Sequence, residues 1–207
     1  YREYGIPEHR AILPSIERPK KLPVVLGQEE MKILLRAPKL LKHRLMLALL
    51  YGCGLRNSEL RNLYITDLSL DRRQLHVRQG KGRKDRYVPL CDMLVRGLRT
   101  YLAAERPVQW LFNGRDVQGG AVPLSAQGVQ WAIRGARRHS GIKKQVTAHT
   151  LRHSYATHLL EMGMDIMTLR DLLGHVDVRT TLVYLHVSRL DGKRAFSPLE
   201  RLYGRKK

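Results

Sequence analysis

Residues 41–52 (Leu-Lys-His-Arg-Leu-Met-Leu-Ala-Leu-Leu-Tyr-Gly) hold three polar or charged side chains after Leu41 and then turn apolar on nearly every side of a helix. The run from 45 to 55 is the longest apolar stretch of the chain. As a helix it rises only about 17 Å, which is too short to cross a bilayer. A helix that is apolar all round, and too short for a membrane, has to be buried in protein. The other elements of the 207 residues must therefore wrap it, and their periods say what they are. Apolar spacing predicts helices over 28–37, 56–63, 91–105, 125–139, 148–162, 165–173 and 178–187. Ser125, Thr147 and Asp177 stand where N-caps belong, and Gly141, Gly163 and Gly174 where helices stop. Only residues 74–79 and 86–90 alternate like strands, around the Gly80-Lys81-Gly82-Arg83-Lys84 turn, so they predict a β-hairpin with a basic tip. The fold class is mainly α with a small antiparallel β-sheet. Residues 1–27, with Pro7, Pro14, Pro19 and Pro23, read as a linker, residues 28–187 as the domain and residues 188–207 as a tail. The start at Tyr1 suggests a piece of a longer protein.

Thirty-eight Lys and Arg face 18 Asp and Glu, a formal charge of +20. Self-repulsion on that scale opposes a compact chain unless a polyanion offsets it. Nucleic acid is the default partner; an anionic membrane is the weaker choice, because no basic amphipathic helix dominates. The charge is concentrated. Residues 72–86 hold seven Lys or Arg, and residues 134–152 hold six with no acid. Arg78, Arg83, Lys84, Arg86, Arg138, Lys143 and Lys144 are the candidate DNA-contacting residues from these clusters, since phosphate contacts dominate affinity. Cys53 and Cys91 are too few for a disulfide framework or zinc ribbon; with no secretory pattern at the start, they suggest reduced thiols in a cytoplasmic protein.

Three stretches carry chemistry. The first is Tyr51-Gly52-Cys53-Gly54-Leu55-Arg56-Asn57-Ser58-Glu59-Leu60. The second is His149-Thr150-Leu151-Arg152-His153-Ser154-Tyr155-Ala156-Thr157-His158-Leu159. The third is Leu172-Leu173-Gly174-His175, with Thr180, Thr181, Tyr184 and His186 after it. Together, over about residues 22–190, they resemble the tyrosine recombinase (phage integrase) family, whose signature elements occur here in the family's order. Departures are small: Ala148 where Pro is frequent, Leu185 where Thr is frequent, Gly27 where a Ser or Thr cap is usual. The resemblance implies the family's catalytic-domain fold, catalytic roles for Arg56, Lys81, His149, Arg152, His175 and Tyr184, and an N-terminal DNA-clamping domain that this chain lacks. It also implies double-stranded DNA as partner and a homo-oligomer, a tetramer when two sites are synapsed. The tail and motif spacing look closest to Xer-type and integron-type enzymes of bacteria and archaea.

The residue types suit that chemistry. Two guanidiniums, each able to fork onto phosphate oxygens, match the charge that builds on a phosphodiester under attack. The resemblance makes Tyr184 the nucleophile, forming a 3′-phosphotyrosyl link, and Lys81 the acid that protonates the leaving 5′-oxygen, with Lys84 the runner-up. His149 lies three residues before Arg152, on one helix face with it, where it could take the tyrosyl proton or hydrogen-bond the phosphate; His175 would donate to a non-bridging oxygen. His153 and His158 read as structural, and Glu59 as a helix-surface residue or a partner that orients Arg56. A zinc site on His149 and His153 is rejected, because Thr150 replaces the Glu of a His-Glu-x-x-His motif and no third ligand is evident. Carboxylates are too scarce for two-metal chemistry, so neither metal nor cofactor is expected. Two alternatives stay open: relaxation of DNA by a type IB topoisomerase, and a catalytically idle DNA-binding protein. In the tail, Phe196, Leu199, Leu202 and Tyr203 make an apolar face suited to docking on a neighbouring subunit.

Overall fold

In the computed structural model, which describes residues 23–78, 85–115 and 120–188, the all-apolar helix α2 (Leu41–Gly52) lies at the centre, with Leu45, Met46, Leu47, Leu49 and Leu50 buried. Around it pack α1 (Gln28–Arg36), α3 (Asn57–Arg61), α4 (Asp92–Glu105), α5 (Ala126–Ser140) and α6 (Ala148–Glu161). The core begins before α1. Leu26, inside the stretch read as linker, is fully buried and its N–H donates to Ser154 Oγ at 2.9 Å.

Local signals set the ends of the elements. Ser125 Oγ accepts from Gly128 N–H and Thr147 Oγ1 from Thr150 N–H, which satisfies N–H groups that a helix start leaves open. Asp165, not anticipated, caps α7 (Ile166–Leu173), and Gly174 ends it in the left-handed conformation at φ 62°. The last helix is shorter than the spacing suggested: α8 covers only Arg179–Leu182, and turns follow through Val187.

The expected hairpin is there as β2 (Gln74–Val77) and β3 (Arg86–Pro89), paired antiparallel with Val77 opposite Arg86. A third strand, β1 (Leu68–Ser69), extends it, and β4 (Asn113–Arg115) and β5 (Ala121–Pro123) form a separate two-stranded sheet. Strands of two or three residues are too short to show an alternation, so only one sheet was expected. Among the described residues no helix is long and apolar enough to cross a membrane. Residues 1–22 and 189–207, hence most of the linker and tail, lie outside the described residues.

Candidate active site

α2 ends at a turn that only glycine can make. Gly54 has φ +59°, and a Cβ on it would stand 2.5 Å from the Tyr155 ring; both the conformation and the contact exclude a side chain. The turn delivers Arg56 to the start of α3 and aims the Gly54 carbonyl at α6. There Arg152, 4% exposed, donates from Nη1 to Gly54 O and from Nη2 to Leu173 O, each at 2.5 Å. Arg56 donates from Nη2 to Gly174 O at 3.2 Å. The two arginines expected to share a phosphate are thus anchored on consecutive carbonyls at the C-terminus of α7.

Glu59 gathers the charges. Its carboxylate accepts from Arg56 N–H (2.8 Å) and Arg56 Nη1 (2.6 Å), and it lies 3.7 Å from Arg152 Nη1. Arg86 forks onto both of its oxygens at 3.0 and 2.8 Å. Burial alone would raise the Glu59 carboxyl, but the Arg86 hydrogen bonds and charge, the Arg56 N–H and Arg152 hold it at about 2. It is an Arg-orienting residue, one of the two roles expected. Burial, with Arg56 and Arg86 nearby and only Glu59 and Tyr184 opposing, brings the Arg152 guanidinium down to about 10, so it remains cationic at neutral pH. Three guanidiniums and one carboxylate leave the cluster at +2 (3 − 1).

His175 sits between Arg152 and Tyr184. Its Nε2 is 3.1 Å from Arg152 Nη2 and its Nδ1 2.9 Å from Thr181 Oγ1. A guanidinium only donates, so Nε2 accepts and the ring proton is on Nδ1, donated to Thr181. The sequence expectation had His175 donating to phosphate; in this arrangement its free lone pair serves Arg152 instead. Burial, followed by Arg152, Arg56 and Arg86, lowers its imidazole to about 4, which keeps it neutral.

Tyr184 is buried, with its ring parallel to His175 at 6.5 Å between centroids. Its hydroxyl is 3.0 Å from Nδ1 of His153, not from His149. His153, read from the sequence as structural, is thus the imidazole that satisfies the Tyr184 hydroxyl. Burial, then His149 and Arg152, lowers His153 to about 4, while burial raises the Tyr184 phenol against the pull of Arg152 and Arg56. A protonated phenol and a neutral imidazole result, with the O–H donating to Nδ1. His149 is exposed, its ring 6.3 Å from that of His153. The i, i+4 spacing of the two histidines, weighed in the sequence only for zinc, already put both on one side of α6. His158 fits the structural reading: it is buried and hydrogen-bonded to the Tyr51 hydroxyl at 2.9 Å.

The expected DNA-contacting residues divide. Arg86 is a correction: all three of its guanidinium nitrogens are engaged inside the protein, Nε by Leu172 O and both Nη atoms by Glu59, so it is not a free surface cation. Lys144 is tied to Glu30 at 2.6 Å and to Val25 O. Arg78 is half-exposed, bonded to buried Asp67 at 2.6 Å and lying over the Tyr64 ring. Arg138 and Lys143 line an open basic cleft of about 410 Å³ with Arg134 and Arg137. Lys81, Arg83 and Lys84 lie outside the described residues. Among the described residues no three His, Cys, Asp or Glu side chains are grouped to hold a metal ion.

The two neutral histidines predict a pH response. Each binds its proton more weakly folded than unfolded, from an ordinary 6.5 to about 4. Their contribution to stability is therefore complete above about pH 6.5 and is lost as pH falls toward 4. Unfolding at pH 5 should be easier than at pH 7 by on the order of 2–4 kcal/mol. Urea titrations at the two pH values should show a lower midpoint at pH 5, and His153→Gln should shrink the difference. Equal midpoints would mean that neither imidazole is buried as described.

Comparison with known proteins agrees with this geometry. The model of the phage integrase family matches residues 25–190. A putative integrase/recombinase of Sinorhizobium fredii is 41% identical over 191 residues, covering 92% of this chain and 61% of that relative, so the chain spans about three fifths of its length. The crystal structure of XerA recombinase superposes with a TM-score of 0.74 at 32% identity, covering 91% of this chain and 68% of that one. XerH site-specific recombinase bound to its palindromic difH substrate superposes at 0.71 and 25% identity, over 87% of this chain and 54% of that one. With a family match over most of its length and a mainly helical fold carrying small antiparallel sheets, as in those structures, the chain belongs to the phage integrase family.

Proposed function

We propose that this chain is the catalytic part of a site-specific DNA recombinase or integrase that cleaves and rejoins DNA through a 3′-phosphotyrosyl intermediate, with no metal ion and no ATP. The observation that carries the reading is the +2 cluster of Arg56, Arg152, Arg86 and Glu59 beside the buried Tyr184 hydroxyl. The Tyr184 oxygen attacks the scissile phosphorus, the P–O(Tyr) bond forms, and the bond from phosphorus to the 5′-oxygen breaks. His153 or His149 takes the phenolic proton; Lys81 protonates the leaving oxygen. Arg56 and Arg152 hold the non-bridging oxygens as charge grows on them, the main contribution in phosphoryl transfer. The bond energy stays in the link, so the 5′-hydroxyl of the same or another strand reverses the reaction. Tyr184 is only 2% exposed, so the turn after α8 that carries it has to shift before the phenol meets a phosphate.

Double-stranded DNA is the partner, with Arg138 and Lys143 on its backbone, and copies of the chain assemble on it as a homo-oligomer, a tetramer in synapsis, with residues 188–207 docking between subunits. The chain works in the cytoplasm of a bacterium or archaeon. The test is covalent trapping. On nicked suicide duplexes carrying candidate sites, the chain should yield an SDS-resistant adduct at a 3′-phosphate, unchanged by EDTA. Sequence-specific binding without any adduct would identify an idle DNA-binding protein, and loss of the adduct in EDTA would sink the metal-free mechanism.

A further inference from the structure

The end of α7 is held in an unusual way. A helix leaves its last carbonyls without intrahelical partners, and they carry the negative end of the helix dipole. Here three consecutive carbonyls each accept from a different arginine: Leu172 O from Arg86 Nε at 2.7 Å, Leu173 O from Arg152, and Gly174 O from Arg56. The same three guanidiniums surround Glu59. On the strand-transfer reading Arg56 and Arg152 hold the phosphate, whereas Arg86, entering from the first residue of β3, has its Nε on Leu172 O and both Nη atoms on Glu59.

We infer that Arg86 is a positioning residue for strand cleavage, which acts through Glu59 and the end of α7 to set where Arg56 and Arg152 stand, and never touches DNA. The inference rests on the strand-transfer reading above. Without Arg86, Glu59 loses two hydrogen bonds and keeps only Arg56 and the more distant Arg152. The carboxylate then turns to the two phosphate-binding guanidiniums, and the cluster drops from +2 to +1 (2 − 1). Lysine cannot take over this task. Its single nitrogen is a point charge, while the work needs a planar fork onto the carboxylate plus a third bond from Nε to Leu172 O.

The experiment uses the whole chain and the suicide duplex. Arg86→Lys should form adduct about 10- to 100-fold more slowly, the scale of loss for a displacement of about 1 Å in the machinery. Its DNA affinity and salt dependence should match the parent's, because a lost phosphate contact would flatten the log–log salt slope by about 0.9. Glu59→Gln should be similarly slow, and the double variant no slower than the slower single one, since both act through one link. A 5′-bridging phosphorothiolate, whose thiolate leaves almost without a proton, should not restore Arg86→Lys, because what is lost is the placement of Arg56 and Arg152 on the non-bridging oxygens and not the proton for the leaving oxygen. A parental rate, a flatter salt slope, multiplicative losses in the double variant, or rescue by the phosphorothiolate would each overturn the inference. So would an Arg86→Lys chain that does not fold, which would put the residue in the service of the core alone. If the parent chain forms no adduct, the strand-transfer reading itself fails and takes this inference with it; an adduct-forming parent with a normal Arg86→Lys sinks the inference and leaves that reading standing.

Discussion

Tyr184→Phe should bind DNA as the parent chain does and form no covalent adduct. The substitution removes one oxygen and keeps the ring that lies parallel to His175 and fills the small apolar cluster with Tyr155, Leu160, Leu169 and Leu173. Its structural cost is the single hydrogen bond to His153, about 1 kcal/mol, so the unfolding midpoint should move little. The chemical cost is total, because no phosphorus–oxygen bond to the protein can form. Gel shift and SDS gels on one duplex measure both. Residual adduct would place the nucleophile elsewhere. Tyr155, whose ring lies against Gly54, and Tyr203, outside the described residues, are then the ones to test.

The two arginines proposed to hold the phosphate should be equal in chemistry and unequal in stability. Arg56→Ala and Arg152→Ala each remove one donor to the developing phosphate charge, a loss of about 100- to 1,000-fold in cleavage. Arg152 is also the donor for two carbonyls, Gly54 O and Leu173 O, in buried surroundings. Leaving both without a donor should lower stability by about 2–4 kcal/mol, only partly offset by relief of repulsion from Arg56 and Arg86. The Arg56 side chain is 23% exposed, so water can replace it at Gly174 O and at Glu59, and its removal should cost about 1 kcal/mol. Urea unfolding read beside adduct formation separates the two effects. Equal stability for both variants would show that the Gly54 and Leu173 carbonyls find other donors once Arg152 is gone.

The positions of the helices, their caps at Ser125 and Thr147, the stops at Gly141, Gly163 and Gly174, the β2–β3 hairpin and the central α2 were all legible in the sequence. Each depends on a local period or on a side chain reaching its own backbone within one turn. The motif residues were legible too, because the residues flanking Arg56, Arg152 and His175 mark them off from ordinary surface charges. What could not be read was which charge meets which. Arg86 is one of seven basic residues in 72–86, and nothing local distinguishes it from Arg83; its burial follows from Glu59, 27 residues away, and Leu172, 86 residues away. By spacing alone His149 and His153 lie on one side of α6. Only the packing of the turn after α8 onto α6 puts the Tyr184 hydroxyl on His153. Secondary structure is set by neighbours in sequence, and so the chain by itself determined it. The roles of buried ions are set by desolvation and by partners that only the folded chain brings together, and so the tertiary structure decided them.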